Sequence, residues 1–185
     1  MEPGEIIILN GVGSVGTSST ARALQAITAA PFLHIALDAC IGILPKRMVG
    51  HPDGLTFDTH TAHRRLCVAI GSGPVVAPAM RGMRHAVAAM AAHGNNLIVD
   101  AVMLDQDKAR DHRDLLSGCT RRFVALFAPL EVLEEREPAR GERMVGLVRW
   151  PFDRVHRGMT YDLAIDTSSQ TPEACARLIC ATFGV

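Results

Sequence analysis

The run Gly11-Val12-Gly13-Ser14-Val15-Gly16-Thr17-Ser18 follows directly on the apolar stretch Ile6-Ile7-Ile8-Leu9 and leads into Ser18-Ser19-Thr20-Ala21-Arg22-Ala23-Leu24-Gln25, which reads as the start of a helix. Strand, glycine loop and helix in this order form a cradle in which backbone N–H groups and a helix N-terminus receive phosphate. Gly11, Gly13, Ser14, Val15, Gly16, Thr17, Ser18 and Ser19 are therefore the candidate nucleotide-binding residues. A phosphate-binding loop ordinarily carries lysine just before its hydroxyl residue, and here Thr17 occupies that place.

Further short apolar runs end in a polar or acidic residue: Phe32 to Leu37 before Asp38, Asn96 to Val99 before Asp100, Phe123 to Phe127, and Tyr161 to Ile165 before Asp166. Such runs, without polar alternation, fit strands of a parallel sheet covered on both faces. Helical patterns lie between them at Ser19 to Thr28, Met80 to Ala92 closed by Gly94, Gln106 to Leu116, and Pro129 to Ala139. A last one, Thr171 to Phe183, starts with Thr171 as N-cap and Pro172 in the first helical position. Strands alternating with helices predict a doubly wound α/β sandwich, in which ligands lie beyond the carboxyl ends of the strands. The 185 residues fit one domain. The segment Lys46 to Gly73, rich in Gly, Pro, His and Thr and without clear period, is expected to be a substrate-facing excursion.

Charge narrows the partners. Lys plus Arg and Asp plus Glu are 19 each, so no global field draws the chain to nucleic acid or an acidic membrane. A small molecule is the expected partner, and self-association into a homo-oligomer is compatible with that balance. With only Lys46 and Lys108 as lysines, phosphate chemistry must lean on arginine. Five scattered cysteines without a Cys-x-x-Cys pair point to reduced thiols. The absence of a leader pattern and of an apolar run of roughly 20 residues gives a cytoplasmic protein as the expectation. His51, His60 and His63 lack zinc-like spacing and are read as shaping an acceptor pocket.

The glycine spacing has a second reading. Gly11-x-Gly13-x-x-Gly16 also matches the dinucleotide fingerprint, and Asp38 stands about 20 residues further on, where a ribose-binding acid belongs. The hydroxyls Thr17, Ser18 and Ser19 favour a P-loop, which needs one to coordinate Mg²⁺. In that reading Ser18 and Asp100 are the metal-site residues. Asp38 would orient an acceptor hydroxyl and take its proton. Arg136, Arg140 and Arg143, spaced four and three apart, would share a helical face within a lid around residues 136–150 and offset charge on the transferring phosphoryl group. Arg149, Trp150, His156 and Tyr161 lie where adenine or the acceptor would pack.

Asn10-Gly11 through Ser19, Leu37-Asp38, Val99-Asp100, the block Arg136-Glu137-Pro138-Ala139-Arg140-Gly141-Glu142-Arg143, and Tyr161-Asp162-x-x-Ile165-Asp166-Thr167 together resemble the chloramphenicol phosphotransferase family. The similarity runs in order over nearly the whole chain. It implies a three-layer α/β/α sandwich of P-loop NTPase type with a mostly parallel sheet, Mg²⁺ and ATP as cofactors, and transfer of the γ-phosphate to a hydroxyl of a small molecule of antibiotic or natural-product type. The position of Asp38 matches the family's catalytic base. The chain departs from the family at Thr17 and at Asp100-Ala101, where two adjacent acids are usual. A protein of the same fold without phosphoryl transfer, or with another reaction on a small substrate, is the alternative that these departures raise.

Overall fold

The computed structural model describes residues 2–62, 64–104, 106–140 and 144–185. Chain order is β1 (Ile6–Asn10), α1 (Thr17–Ile27), β2 (Phe32–Ala36), α2 (Leu37–Gly42), β3 (Leu55–Ala62), β4 (Arg65–Ser72), α3 (Val76–Ala92), β5 (Asn96–Ala101), α4 (Gln106–Leu115), β6 (Arg121–Phe127), α5 (Leu130–Arg136), α6 (Arg149–Phe152), β7 (Leu163–Asp166) and α7 (Pro172–Phe183). Five strands form one sheet in the order β2-β5-β1-β6-β7, with every neighbouring pair parallel.

Strand alternation sorts the core into two layers. Ile7, Leu9, Ile98, Val124, Leu126 and Ile165 pack with Ala21 and Leu24 of α1 and Ala176 and Ile179 of α7. Ile6, Ile8, Leu97, Val99 and Phe123 face the other way, onto Val87 and Ala91 of α3 and Ala109 of α4. Both faces are thus covered, which is why these strands read as unbroken apolar runs. The result is the three-layer α/β/α sandwich with a parallel sheet expected from the sequence.

Several boundaries move for identifiable reasons. The expected helix Pro129 to Ala139 stops at Arg136, because Pro138 cannot donate to the helical ladder; a 3-10 turn, Pro138–Arg140, follows. Arg136 therefore ends α5 while Arg140 stands in the 3-10 turn, so no single α-helical face joins the two, and Arg143 of the expected set lies outside the described residues. The helix expected from Met80 begins at Val76, since Pro78 falls in its first turn, where a missing N–H costs nothing. Strand β2 ends at Ala36, and Asp38 stands in the first turn of α2 rather than at a strand end.

The segment Lys46 to Gly73 is not irregular. After a 3-10 turn, Lys46–Met48, it forms an antiparallel hairpin of β3 and β4, paired from Leu55↔Ser72 to Ala62↔Arg65, as a second small sheet. No Asn-Gly or Asp-Gly joins the two strands in sequence, so the usual hairpin signal is missing. Support comes from elsewhere in the chain: Val68 N donates to Gly146 O at 2.9 Å. In α7, Thr171 accepts from Ala174 N at 3.2 Å with Pro172 in the first turn, as the sequence predicts. Among the described residues no helix is long and apolar enough to cross a membrane.

Candidate functional site

Strand β1 delivers the chain to the carboxyl edge of the sheet, where the glycine loop turns it back into α1. Gly11 is confined there: a Cβ on it would stand 2.6 Å from Leu126 O and from Val15 Cγ1. Gly16 caps α1 at φ 99°, a left-handed conformation that favours glycine, and Ser14 also has positive φ, at 65°. The first helical bond is Thr20 N to Gly16 O, at 2.9 Å. No side chain caps α1 and its first turn carries no acid, so this end of the helix presents backbone donors and the positive end of its dipole to a ligand.

Thr17, Ser18 and Ser19 form the opening turn of α1. Ser18 Oγ donates to Asp100 Oδ2. Asp100 is 7 % exposed and stands on the α1 side of β5, beside Ala36 of β2 in register. Burial opposes its charged form. The neighbouring His34 imidazole, then the Ser18 and Thr17 hydroxyls, outweigh burial and hold the carboxyl below the ordinary aspartate range. An ionised carboxylate against a serine hydroxyl at a helix N-terminus is a donor set that suits a hard divalent cation carrying phosphate. The residues expected to hold Mg²⁺ are thus brought together.

His34 had no role in the sequence reading. Its Nε2 lies 3.7 Å from Asp100 Oδ2. A lone histidine in an apolar run gives no spacing signal, and only the pairing of β2 with β5 places it by Asp100. Asp38 lies two residues past the end of β2, exposed, in the first turn of α2.

On the far side of the loop a cleft of about 320 Å³ opens between α1 and the start of α7, lined by Ser14, Gly16, Ser19, Arg136, Thr167 and Pro172 among others. The Arg136 guanidinium is fixed on its wall, donating to Thr167 O at 2.8 Å and Thr167 Oγ1 at 3.2 Å. The side chain of Arg140 and all of Arg143 lie outside the described residues.

Two polar clusters hold the surroundings. Asn10, fully buried just before the glycine loop, donates to Tyr161 OH at 2.7 Å and Val155 O at 2.9 Å and accepts from Met103 N at 2.8 Å. His156 Nδ1 is 2.8 Å from the same tyrosine oxygen, and burial lowers its pKa. Tyr161 and His156 thus brace β1 against the chain that precedes β7. Trp150, in α6, is stacked by Arg154 at 4.9 Å. In the second cluster Glu137, 4 % exposed, accepts from Gly146 N at 2.7 Å and Val148 N at 3.1 Å. Glu134 joins Arg65 of β4, at 2.9 Å, to Arg149 of α6, at 2.5 Å.

The strand order discriminates between the two readings of the glycine loop. In the dinucleotide fold the second strand lies directly beside the first. Here β5 separates them, so Asp38 is a full strand further from the loop than a ribose-binding acid would be. Loop, strand order and the Ser18–Asp100 contact define an α/β protein of the P-loop NTPase type.

Residues 4–183 match the model of the chloramphenicol phosphotransferase-like protein family, and the chain belongs to that family. Two Mycobacterium tuberculosis proteins, each named "Putative O-phosphotransferase", are 29 % identical to it over 182 residues, covering 96 % of this chain and 81 % of theirs. Among solved structures, a sugar kinase from Janibacter sp. HTCC2649 superposes with a TM-score of 0.70 at 18 % identity, over 99 % of this chain and 96 % of that one. The Mycobacterium tuberculosis APS kinase CysC, in complex with AMPPNP and APS, gives 0.69 at 15 % identity over the whole of both chains. The tunicamycin resistance protein of Deinococcus radiodurans gives 0.67 at 22 %, over 98 % and 96 %. The fold is that of small-molecule kinases and O-phosphotransferases.

Proposed function

We propose that the chain is an ATP-dependent phosphotransferase that moves a phosphoryl group to a hydroxyl of a small molecule of antibiotic or natural-product type. The observation that carries this reading is the Ser18–Asp100 pair at the uncapped N-terminus of α1. In it the loop from Gly11 to Ser19 receives the phosphates, Gly13 and Val15 included, and the cleft beside Arg136 and Pro172 takes the nucleoside. Mg²⁺, when bound with the nucleotide, neutralises phosphate charge, and Ser18 and Asp100 are the residues that would hold it.

Asp38 is the candidate base. It stands at the carboxyl edge of the sheet, exposed to an incoming acceptor, and accepts the hydroxyl proton as the oxygen attacks phosphorus. Arg136 faces the nucleotide cleft. Arg140 and Arg143 supply the charge that the transferring group needs, in the segment around residues 136–150 that acts as a lid. The hairpin β3–β4, within residues 46–73, is the part of the chain that would face the acceptor.

Calorimetry tests the reading. AMPPNP should bind, bind more tightly with divalent cation, and lose that gain in Asp100→Asn; NAD should not compete. No nucleotide binding in any condition sinks it. A second reading rests on Thr17 and Ala101 themselves: the same pocket binds nucleotide without transferring phosphate. Nucleotide binding with no turnover against a panel of hydroxylated natural products, in the wild type and in Thr17→Lys alike, would favour that one.

A further inference from the structure

His34 stands beside Asp100 within ion-pair distance but beyond hydrogen-bond range. It lies on the same face of β2 as Phe32 and Ala36, because strand residues two apart point the same way, and Ala36 is the register partner of Asp100. That face looks onto α1, so the imidazole and the carboxylate share one pocket with the opening hydroxyls of the helix. His34 Nε2 is buried from solvent and makes no hydrogen bond. Its distance to Asp100 Oδ2, 3.7 Å, exceeds hydrogen-bond range. Buried polar atoms are paired in nearly all folded proteins, so an orphan nitrogen aimed at an ionised carboxylate asks for a third participant.

We propose that this participant is the divalent cation of the site, held by His34 Nε2 together with Asp100 and Ser18, and that the site selects Mn²⁺ over Mg²⁺. The inference rests on the metal–nucleotide reading given above and adds the identity of the ion. Mg²⁺ takes an octahedron of oxygens and has little use for imidazole, whereas Mn²⁺ accepts both carboxylate and imidazole and stands above Mg²⁺ in nitrogen affinity. Two donors in neighbouring octahedral positions, each about 2.1–2.2 Å from an ion, stand about 3 Å apart, so His34 and Asp100 need close by less than an ångström. Phosphate oxygens and water complete the shell.

The test uses the full chain with AMPPNP and the protein labelled with ¹⁵N-histidine. Pulsed electron paramagnetic resonance of bound Mn²⁺ should show coupling to ¹⁵N in the wild type and none in His34→Gln. Binding of Mn²⁺ to the protein–nucleotide complex, in competition with Mg²⁺, should favour Mn²⁺ by about tenfold more than AMPPNP alone does. His34→Gln, which offers an oxygen, should bind nucleotide and ion while its preference falls back to that of free AMPPNP; His34→Asn serves as the second variant if the first folds poorly. Absence of ¹⁵N coupling in the wild type, or a metal preference unchanged in a folded variant, overturns the inference and leaves the phosphotransferase reading standing. Failure of AMPPNP to bind with either ion removes both.

Discussion

Thr17 stands where a P-loop lysine belongs, and its contact with Asp100 gives it a polar role without charge. A threonine donates one neutral hydrogen bond. The lysine it replaces would stabilise charge on the β- and γ-phosphates, a contribution of about 3–4 kcal/mol in the transition state. Arg22, one turn further on, is turned to Ser19 Oγ at 3.5 Å instead. With Arg140 and Arg143 supplying that charge, Thr17→Lys is expected to change kcat little, measured by phosphate transfer to a responsive acceptor. A rise of roughly a hundredfold to a thousandfold would mean that no arginine has taken over. Asp38 gives a complementary test. Asp38→Asn should lower kcat about 10²–10⁴-fold with nucleotide affinity little changed, since the residue is exposed on α2 and is not part of the glycine loop. Of the residues named from sequence, Ser18 and Asp100 stood out because each lies one residue inside the boundary of a regular element, and the structure brings their side chains into contact. His34 was not, because nothing along the chain ties it to β5.

At the scale of elements, α5 and the 3-10 turn after it do more than carry arginines. The Glu137 carboxylate takes two backbone donors from residues 146–148, and Glu134 bridges Arg65 and Arg149. One short stretch thus fixes α6 and the first residue of β4 relative to the main sheet. A two-stranded hairpin is marginal alone, so β3 and β4 depend on such anchoring. Glu137→Ala should cost about 2–4 kcal/mol in denaturant unfolding, because it strands two backbone N–H groups, with faster hydrogen exchange at Gly146 and Val148. A loss below half a kcal/mol would show that water replaces the carboxylate. Alternation of Glu and Arg in this region reads from sequence as a solvated charged face. The difference lies in burial, which a local pattern does not encode.

For the molecule as a whole, acid stability follows from the layer beneath α3 and α4. His112, 4 % exposed, has its pKa lowered to about 4 by burial and then by Arg84, against an opposing effect of Asp111. The unfolded chain takes up that proton near pH 6.5 and the folded one only near pH 4, so stability is full above pH 6.5 and falls as pH drops through this window. The loss is on the order of 3 kcal/mol. His112→Gln should flatten the wild-type decline of unfolding free energy between pH 6.5 and 4. A decline of the same depth in the variant would place the cause elsewhere. The sequence by itself determined the five-strand α/β sandwich and the phosphate loop, because buried parallel strands, glycine turns and helix starts are local signals with fixed spacing. Strand order, the hairpin, the truncation of α5 and the meeting of His34 with Asp100 belonged to the tertiary structure. Each depends on which distant segments pair, and β5 inserting between β1 and β2 settles that through contacts no window along the chain contains.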